Sequence, residues 1–388
     1  MTAHLKSPMR RVFEPEHEEL RQSFRSFLAS RVVEHYSRWE ADGIVPRELF
    51  TEAGKHGFLG MEIPEEYGGG GVDDFRSNAV IAEEIARAGV VSFGINLHND
   101  ICIPYFLQYA NDEQRRRWLP GLASGDLIAA IAMTEPGTGS DLAGITTTAT
   151  CDGDHYVLDG GKTFISNGIN ADLVIVAART ERSEGRHNSL SLIVVERDTP
   201  GFTRGRNLDK IGMHAQDTAE LFFEGARVPV ANLLGEPGRG FRYLVSNLSQ
   251  ERMTIALASV ESGFRMLDLT LDYVRERKAF GAAIGSYQNT RFQLADIRTE
   301  LETTRAFVDS CLADLVAGEL PPDRAAMAKL AATELQGRVA DRCLQLFGGY
   351  GYMTEYPIAR AYVDARIQRI YGGTSEIMRE IIGKSMGL

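Results

Sequence analysis

The stretch from Phe241 to Phe280 carries apolar residues at alternating spacings of four and three. Residues at these spacings lie on one face of a helix. Because the stretch contains no proline, the pattern predicts a single long helix. The predicted buried face consists of Met253, Leu257, Val260, Phe264, Leu267, Leu271 and Val274.

Similar spacings predict further helices on both sides of a central region with a different pattern. Helical spacing runs from Phe13 to about Ser124 and is interrupted by the glycine-rich segment IPEEYGGGGVDD. After Gly240 the pattern gives three long amphipathic helices and a shorter C-terminal pair, which is typical of a helical bundle. The third long helix should end at Gly348 and Gly349.

Between Gly125 and about Gly235 the apolar period becomes that of strands. Segments such as DLIAAIAMT, DLVIVAART and SLSLIVVERD are separated by D-G, G-G and N-G turns. Short strands without long helices between them favour an antiparallel sheet. We therefore expect an α+β multidomain protein: an N-terminal α-helical domain (1–124), a middle antiparallel β-barrel or sandwich domain (125–236) and a C-terminal four-helix-bundle domain (237–388).

Composition narrows the range of partners. A net charge of -11 argues against a nucleic-acid surface, which needs clustered Lys and Arg. No apolar run approaches the roughly 20 residues that span a bilayer, and the basic N-terminal segment lacks the apolar core of a secretory signal. The four cysteines form no C-x-x-C pair, so we expect reduced, buried cysteines in a cytoplasmic protein. The eight histidines show no ligand spacing, and we expect no metal site.

Glu251 lies in the predicted long helix but not on its apolar face. Its helical neighbours are Leu248, Ile255, Leu244 and Ala258, so the carboxylate should lie in largely apolar surroundings. Such a group either finds a cation or has a raised pKa. From the helix alone, a solvated charge near Arg252 is the favoured interpretation.

Three glycine-bearing segments stand out: MTEPGTGSD, LFGGYGY and YGGTSE. None matches the Rossmann or the P-loop pattern. What they share is backbone N–H groups beside Ser or Thr hydroxyls, which can bind the pyrophosphate of a dinucleotide. Taken singly, each segment is more often a structural turn.

With further motifs the sequence resembles the acyl-CoA dehydrogenase family over essentially its whole length. TEPGTGSD, GKTFISNG, RKAFG with Gln288 downstream, QLFGGYGY and YGGTSE occur in the order and at the spacing of that family. The segments LHND, KIGMHAQDTAELFFE and EYPIARAYVDARIQRIYGGTSEIM most resemble the long-chain acyl-CoA dehydrogenases.

The resemblance implies FAD as cofactor, an acyl-CoA substrate, electron-transfer flavoprotein as electron acceptor and a homotetramer. It implies that Arg277, Phe280 and Gln288 reach the FAD of a neighbouring subunit, and that Gln345, Gly348 and Gly349 provide a second set of dinucleotide contacts. The other cofactor-binding residues it implies are Met133, Thr134, Gly139, Ser140, Phe164, Ile165, Ser166, Thr374 and Glu376. The substrate-binding residues it implies are Ser140, Ser249, Arg252, Tyr371, Gly372 and Gly373.

One departure from the family pattern concerns the catalytic base. Most relatives carry a glutamate at the position of Gly372, and glycine cannot remove a proton. Long-chain and isovaleryl types carry the base on the long helix before an arginine, which here matches Glu251 followed by Arg252. The resemblance therefore implies that Glu251 takes the α-proton, that flavin N5 accepts the β-hydride, and that a trans-2-enoyl-CoA forms. It also implies that a ribityl hydroxyl and the N–H of Gly372 hold the thioester oxygen.

Several functions remain open at this stage. The favoured substrate is a longer or branched saturated acyl-CoA, and an isovaleryl-type or other branched- or short-chain enzyme is an alternative. An acyl-CoA oxidase is a second alternative, which peroxide formation during turnover would reveal. A non-catalytic acyl-CoA-binding protein is a third, suggested by the glycine at position 372.

Overall fold

The computed structural model describes residues 10–180 and 189–388. Residues 1–9, which belong to the basic N-terminal segment considered above, lie outside the described residues. In the described part of the chain, no helix is long and apolar enough to cross a membrane. The order of elements is helical, then sheet, then helical, so the expected fold class is confirmed.

Six helices form the N-terminal part of the described chain. Side chains cap several of their beginnings; for example, Asp74 accepts the N–H of Arg76, and Asn111 forms a capping box with Gln114. A short π-helical segment, Leu97–Cys102, leads directly into the fifth helix. The helices are α1 (Pro15–Leu28), α2 (Tyr36–Asp42), α3 (Glu48–Lys55), α4 (Phe75–Ala88), α5 (Ile103–Tyr109) and α6 (Asp112–Ser124).

The middle part is one sheet with the strand order β6-β7-β3-β2-β4-β5-β8, in which β1 pairs with β4. Most pairs are antiparallel as expected, whereas β1 and the first residue of β2 pair with β4 in parallel. The strands are β1 (Ala129–Ala132), β2 (Thr148–Asp152), β3 (His155–Ser166), β4 (Leu173–Arg179), β5 (Leu190–Glu196), β6 (Phe202–Asn207), β7 (Thr218–Pro229) and β8 (Leu233–Leu234).

Two local expectations for this sheet are wrong. Gly160 and Gly161 do not form a turn but lie inside β3, where the register against β7 shifts between Leu158 and Gly160. Cys151 is exposed near the hairpin end of β2, whereas the other three cysteines are buried as expected. The D-G turn between β2 and β3 is found as expected.

Both faces of β4 and β5 are buried, which explains their continuous apolar sequences. Ile175 and Val194 face a core shared with the N-terminal helices, including Phe106 and Trp118. The alternate residues of both strands pack into a second core formed by the rest of the sheet. The sheet is thereby fixed directly to the helices that precede it.

The C-terminal part contains three long helices and two shorter ones, as expected. The predicted apolar face of the first is buried, except for the half-buried Leu271. It packs mainly on the third long helix and on α4. The helices are α7 (Gly240–Glu276), α8 (Gln288–Val316), α9 (Pro322–Phe347), α10 (Pro357–Ala365) and α11 (Ser375–Ser385); a two-stranded hairpin, β9 (Lys278–Ala279) with β10 (Ala282–Ala283), joins α7 to α8.

Candidate active site

Glu251 lies in the interior, on the side of α7 that faces the N-terminal helices, and is only 3% exposed. Its Oε1 accepts hydrogen bonds from the Tyr105 hydroxyl at 3.2 Å and from Asn247 Nδ2 at 3.2 Å. Burial raises the pKa of Glu251 to about 7, opposed by these two bonds and by the charge of Arg252. Glu251 is therefore a buried carboxylate that titrates near neutrality, not a solvated helix charge.

The segment that supplies Tyr105 is fixed to α7 on both sides of Glu251. Gln250 Nε2 donates to the backbone oxygen of Asp100 at 3.0 Å, and Thr254 Oγ1 donates to its carboxylate, also at 3.0 Å. The π-helical turn ends at Cys102, and Tyr105 follows in the first turn of α5. The geometry around Glu251 thus depends on a segment that lies far away in sequence.

The loop before α11 reaches the same stretch of α7. Gly372 has a φ of +63°, and a Cβ built on it would lie 2.5 Å from Ile255 Cδ1. Ile255 follows Glu251 by one helical turn, so the backbone of Gly372 lies beside the carboxylate's stretch of helix. The loop is held by Lys329, whose Nζ donates to the backbone oxygens of Gly373 at 2.7 Å and Gln368 at 3.0 Å.

Two buried cations lie near this loop. Lys329 is fully buried, and burial together with the nearby charge of Arg252 lowers its pKa to about 8. Arg252 is 4% exposed, and its Nε has no hydrogen-bond partner among the described residues. Burial lowers the pKa of Arg252, and the Glu251 charge opposes the shift. The loop also carries Tyr371, whose hydroxyl donates to Gln368 at 2.7 Å, while Ser249 is half-buried two residues before Glu251.

The segment after β1 is organised by a buried ion pair. Glu135 Oε1 accepts from Lys162 Nζ at 2.8 Å, and the two carboxylate oxygens also accept the N–H and hydroxyl groups of Thr146 and Thr147. These donors lower the pKa of Glu135 to about 2 against the effect of burial. Lys162 also bonds to the backbone oxygen of Met133 at 3.1 Å, so the pair fixes this segment against β3.

On β3, the residues after Lys162 present one aromatic ring outward. Thr163 N–H donates to Thr134 O at 2.9 Å. Phe164 follows with a φ of +60° and is 67% exposed, whereas Ile165 is buried. Ser166 is half-buried, as are Met133 and Thr134, while Gly139 and Ser140 are exposed in the loop after β1. The structure therefore brings the predicted residues of TEPGTGSD and GKTFIS together.

A second group of predicted cofactor residues forms a groove at the far end of α7. The groove has a volume of about 540 Å³ and is lined by Arg277, Gln345, Gly348 and Gly349, among others. Arg277 lies 26 residues after Glu251, which is about 39 Å along a helix. Of the remaining predicted residues, Phe280 and Gln288 are exposed near this end, Thr374 caps α11 by accepting the N–H of Ile377, and Glu376 is exposed.

These two groups suit a flavin dinucleotide. Arg277 and Gln345 offer a cation and an amide in the groove. A Cβ built on Gly348 or Gly349 meets nothing within 4 Å, so the backbone N–H groups can be approached closely. The outward Phe164 ring offers an apolar surface of the kind a ring system packs against. Within residues 10–180 and 189–388, no group of three or more His, Cys, Asp or Glu could hold a metal ion.

Sequence reasoning missed Tyr105, Asn247, Glu135, Lys162 and Lys329. Glu135 and Lys162 lie inside the quoted motifs, so their presence there was an available signal. Asn247 precedes Glu251 by one helical turn, so its spacing was an available signal as well. Tyr105 and Lys329 carry no local signal, because their partners are a distant residue and distant backbone oxygens. A buried lysine in a helix looks like an ordinary solvated charge until its acceptors are known.

Comparison with known proteins assigns the whole arrangement to one class of enzyme. Family models match in order: "Acyl-CoA dehydrogenase, N-terminal domain" over residues 14–126, the middle domain over 130–226 and the C-terminal domain over 238–387. The chain therefore belongs to the acyl-CoA dehydrogenase family, which consists of FAD-dependent oxidoreductases.

Individual relatives agree with this assignment. The chain is 48% identical to the long-chain specific acyl-CoA dehydrogenase of Sus scrofa mitochondria, over 97% of this chain and 88% of that protein. It is 49% identical to the acyl-CoA dehydrogenase structure from Geobacillus kaustophilus, with a TM-score of 0.96 over 97% and 100% of the two chains. A glutaryl-CoA dehydrogenase from Mycobacterium smegmatis, solved in complex with FADH2, is 28% identical with a TM-score of 0.89, over 97% and 95%.

Proposed function

We propose that this acyl-CoA dehydrogenase introduces a trans-2 double bond into a long-chain saturated acyl-CoA, with Glu251 as the base that removes the α-proton. The observation that carries the proposal is the buried Glu251 carboxylate, whose pKa lies at about 7, on α7 one helical turn before the residue that Gly372 contacts. A base of this kind is partly ionised at neutral pH and strong enough to receive a proton from a weakly acidic carbon.

Different residues of the chain would remove the proton, bind the thioester oxygen and position the loop. Glu251 accepts the α-proton, and its buried surroundings exclude the water that would weaken it as a base. The N–H of Gly372 binds the thioester oxygen and stabilises the charge that develops there. Lys329 positions that loop through its bonds to Gly373 and Gln368. Bound FAD would supply the acceptor for the β-hydride.

Two groups of residues would hold the FAD. The loop of TEPGTGSD and the outward face of Phe164 would bind the flavin end. The groove lined by Arg277, Gln345, Gly348 and Gly349 would bind a dinucleotide of a neighbouring subunit, since it lies about 39 Å along α7 from Glu251. This separation supports the homotetramer that the resemblance implies.

Other parts of the proposal rest on the family. Electron-transfer flavoprotein is the proposed electron acceptor. The long-chain preference is supported by 48% identity to the Sus scrofa relative and by a base on α7, and an isovaleryl-type substrate remains the alternative. Steady-state rates with acyl-CoA substrates from four to about twenty carbons would separate the two. The cytoplasmic location stays a prediction.

Replacing Glu251 by glutamine tests the role of the base. Acyl-CoA added without oxygen should bleach the bound flavin of the wild type, and Glu251→Gln should slow the bleaching by roughly a thousandfold with FAD content unchanged. Glu261→Gln, which removes another buried carboxylate of α7, is the matched control and should bleach normally per bound flavin.

The same assay separates the alternatives. Bleaching of Glu251→Gln at the wild-type rate would show that the base is another residue. Absence of bleaching in the wild type would favour a non-catalytic acyl-CoA-binding protein. Peroxide formed in step with turnover in air would favour an oxidase.

A further inference from the structure

The two oxygens of the Glu251 carboxylate differ in their hydrogen bonds. Oε1 accepts both hydrogen bonds, from Tyr105 and from Asn247. Oε2 forms no hydrogen bond with any residue that the structure describes. A carboxylate held through one oxygen has its plane fixed and keeps the lone pairs of the other oxygen for a reacting partner.

Both donors are themselves held in place. Tyr105 is 1% exposed, and its ring is part of the core between the N-terminal helices and the sheet. Asn247 is 4% exposed, and its Nδ2 also donates to the backbone oxygen of Ile101 at 3.4 Å. They approach Glu251 from two elements, α5 and the preceding turn of α7. Rotation of the carboxylate would break bonds to two rigid partners.

We propose that Tyr105 and Asn247 are positioning residues that hold Glu251 by Oε1, so that Oε2 is the atom that receives the substrate's α-proton. This inference rests on the proposed function and refines it. Neither residue needs to touch the reacting carbon. Each acts through the carboxylate, by fixing which oxygen is presented and by stabilising the ionised form.

The hydrogen bonds also set the pH range in which the base works. Burial disfavours the ionised carboxylate, and the two donors favour it, so removing either donor should raise the pKa of Glu251 above its value of about 7. The titratable and charged groups that face Glu251 are Arg252 on α7, Cys102 on the π-helical turn and Tyr105 on α5; Lys329 of α9 acts on Arg252. Cys102 and Tyr105 stay neutral near pH 7, because burial raises both pKa values further.

The test is the pH dependence of kcat/KM in Tyr105→Phe, which removes only the hydroxyl. The acid limb, at which Glu251 gains its proton, should move up by roughly one pH unit, with little change in KM at high pH. Tyr109→Phe is the matched control: Tyr109 lies one turn further along α5 and bonds to Ser246 instead, at 2.7 Å. Its acid limb should coincide with that of the wild type.

Asn247→Leu is a second, independent variant, in which a side chain of similar size replaces the donor; its acid limb should shift in the same direction. If Tyr105→Phe does not retain FAD, the measurement on Asn247→Leu decides the question. Unmoved acid limbs in whichever of the two variants hold flavin would overturn the positioning role, while an inactive Glu251→Gln would still support the proposed function. Full activity of Glu251→Gln would instead remove the proposed function itself.

Discussion

The backbone of Gly372 lies so close to Ile255 that a Cβ at position 372 would come within 2.5 Å of Ile255 Cδ1. Only a glycine fits there without displacing the isoleucine, and the φ of +63° favours glycine as well. Position 372, to which the resemblance assigns the base of most relatives, thus meets α7 one turn after Glu251, the base proposed for this chain. Moving the base from one to the other requires more than exchanging two residues.

We predict that Glu251→Gly with Gly372→Glu restores little activity unless Ile255→Val is added. Valine lacks the Cδ1 that a side chain at position 372 would strike. The remaining cost is the left-handed backbone, about 1–2 kcal/mol for a residue with a Cβ. Anaerobic flavin bleaching measures the recovery, and Ile255→Val alone should bleach like the wild type. Equal rates for the double and triple variants would show that Ile255 is not the obstacle.

We predict that Glu251→Gln is more stable than the wild type at alkaline pH. The folded pKa of Glu251 is about 7 against 4.5 in the unfolded chain, so its contribution to stability is complete below 4.5 and is lost as the pH rises through 7. The loss amounts to about 3 kcal/mol, and glutamine, which is always neutral, avoids it.

Unfolding in urea near pH 9 and near pH 5 measures this difference in the free energy of unfolding. The variant's advantage should be large at the higher pH and small at the lower one. An advantage of equal size at both pH values would mean that it has another cause than the ionisation of Glu251.

We predict strong coupling between Glu135 and Lys162. Removing either partner leaves a buried charge without its counterion, which costs about 3–5 kcal/mol. The double variant Glu135→Gln with Lys162→Met should therefore lose less than the sum of the single variants. The control is the exposed pair Arg227 and Asp152, 2.8 Å apart on the same sheet, whose coupling free energy should be less than about 1 kcal/mol. Additive losses at Glu135 and Lys162 would contradict a buried pair.

We predict that two inactive chains complement each other. If the groove around Arg277 serves the cofactor of a neighbouring subunit, Arg277→Ala and Glu251→Gln damage different sites in a mixed oligomer. Oligomers purified through a different tag on each chain should regain flavin bleaching at the sites that combine the intact Glu251 with the intact Arg277. Oligomers with Glu251→Gln in both chains should show none. If mixed oligomers that hold FAD show no recovery, Arg277 acts on the FAD of its own chain, the same FAD that Glu251 serves.

The sequence predicts what is periodic or local. The apolar face of α7 follows from spacing alone, because each member is a helical neighbour of the next. The surroundings of Glu251 could be predicted only in part. Its apolar helix neighbours left a raised pKa, a cation partner and a solvated charge all open, because Tyr105 lies 146 residues away and no local pattern links the two. Whether Glu251 would be solvated or buried was decided by that distant segment.

Lys329 and Phe164 show two other limits. Lysine is a residue type that usually lies in solvent, and Lys329 is buried because backbone oxygens of a loop meet its ammonium. Phe164 has a left-handed backbone in a strand, at the point where the register between β3 and β7 shifts. Both depend on contacts between elements, which the order of residues in either element does not contain.

The helix α7, 37 residues long, sets the distance between Glu251 and the groove at Arg277. Inserting or deleting one residue between them would turn every later side chain by about 100° and shift it by about 1.5 Å. Natural changes of length in this enzyme are therefore expected in the loops and hairpins, and an engineered fusion or insertion should avoid residues 251–277 altogether.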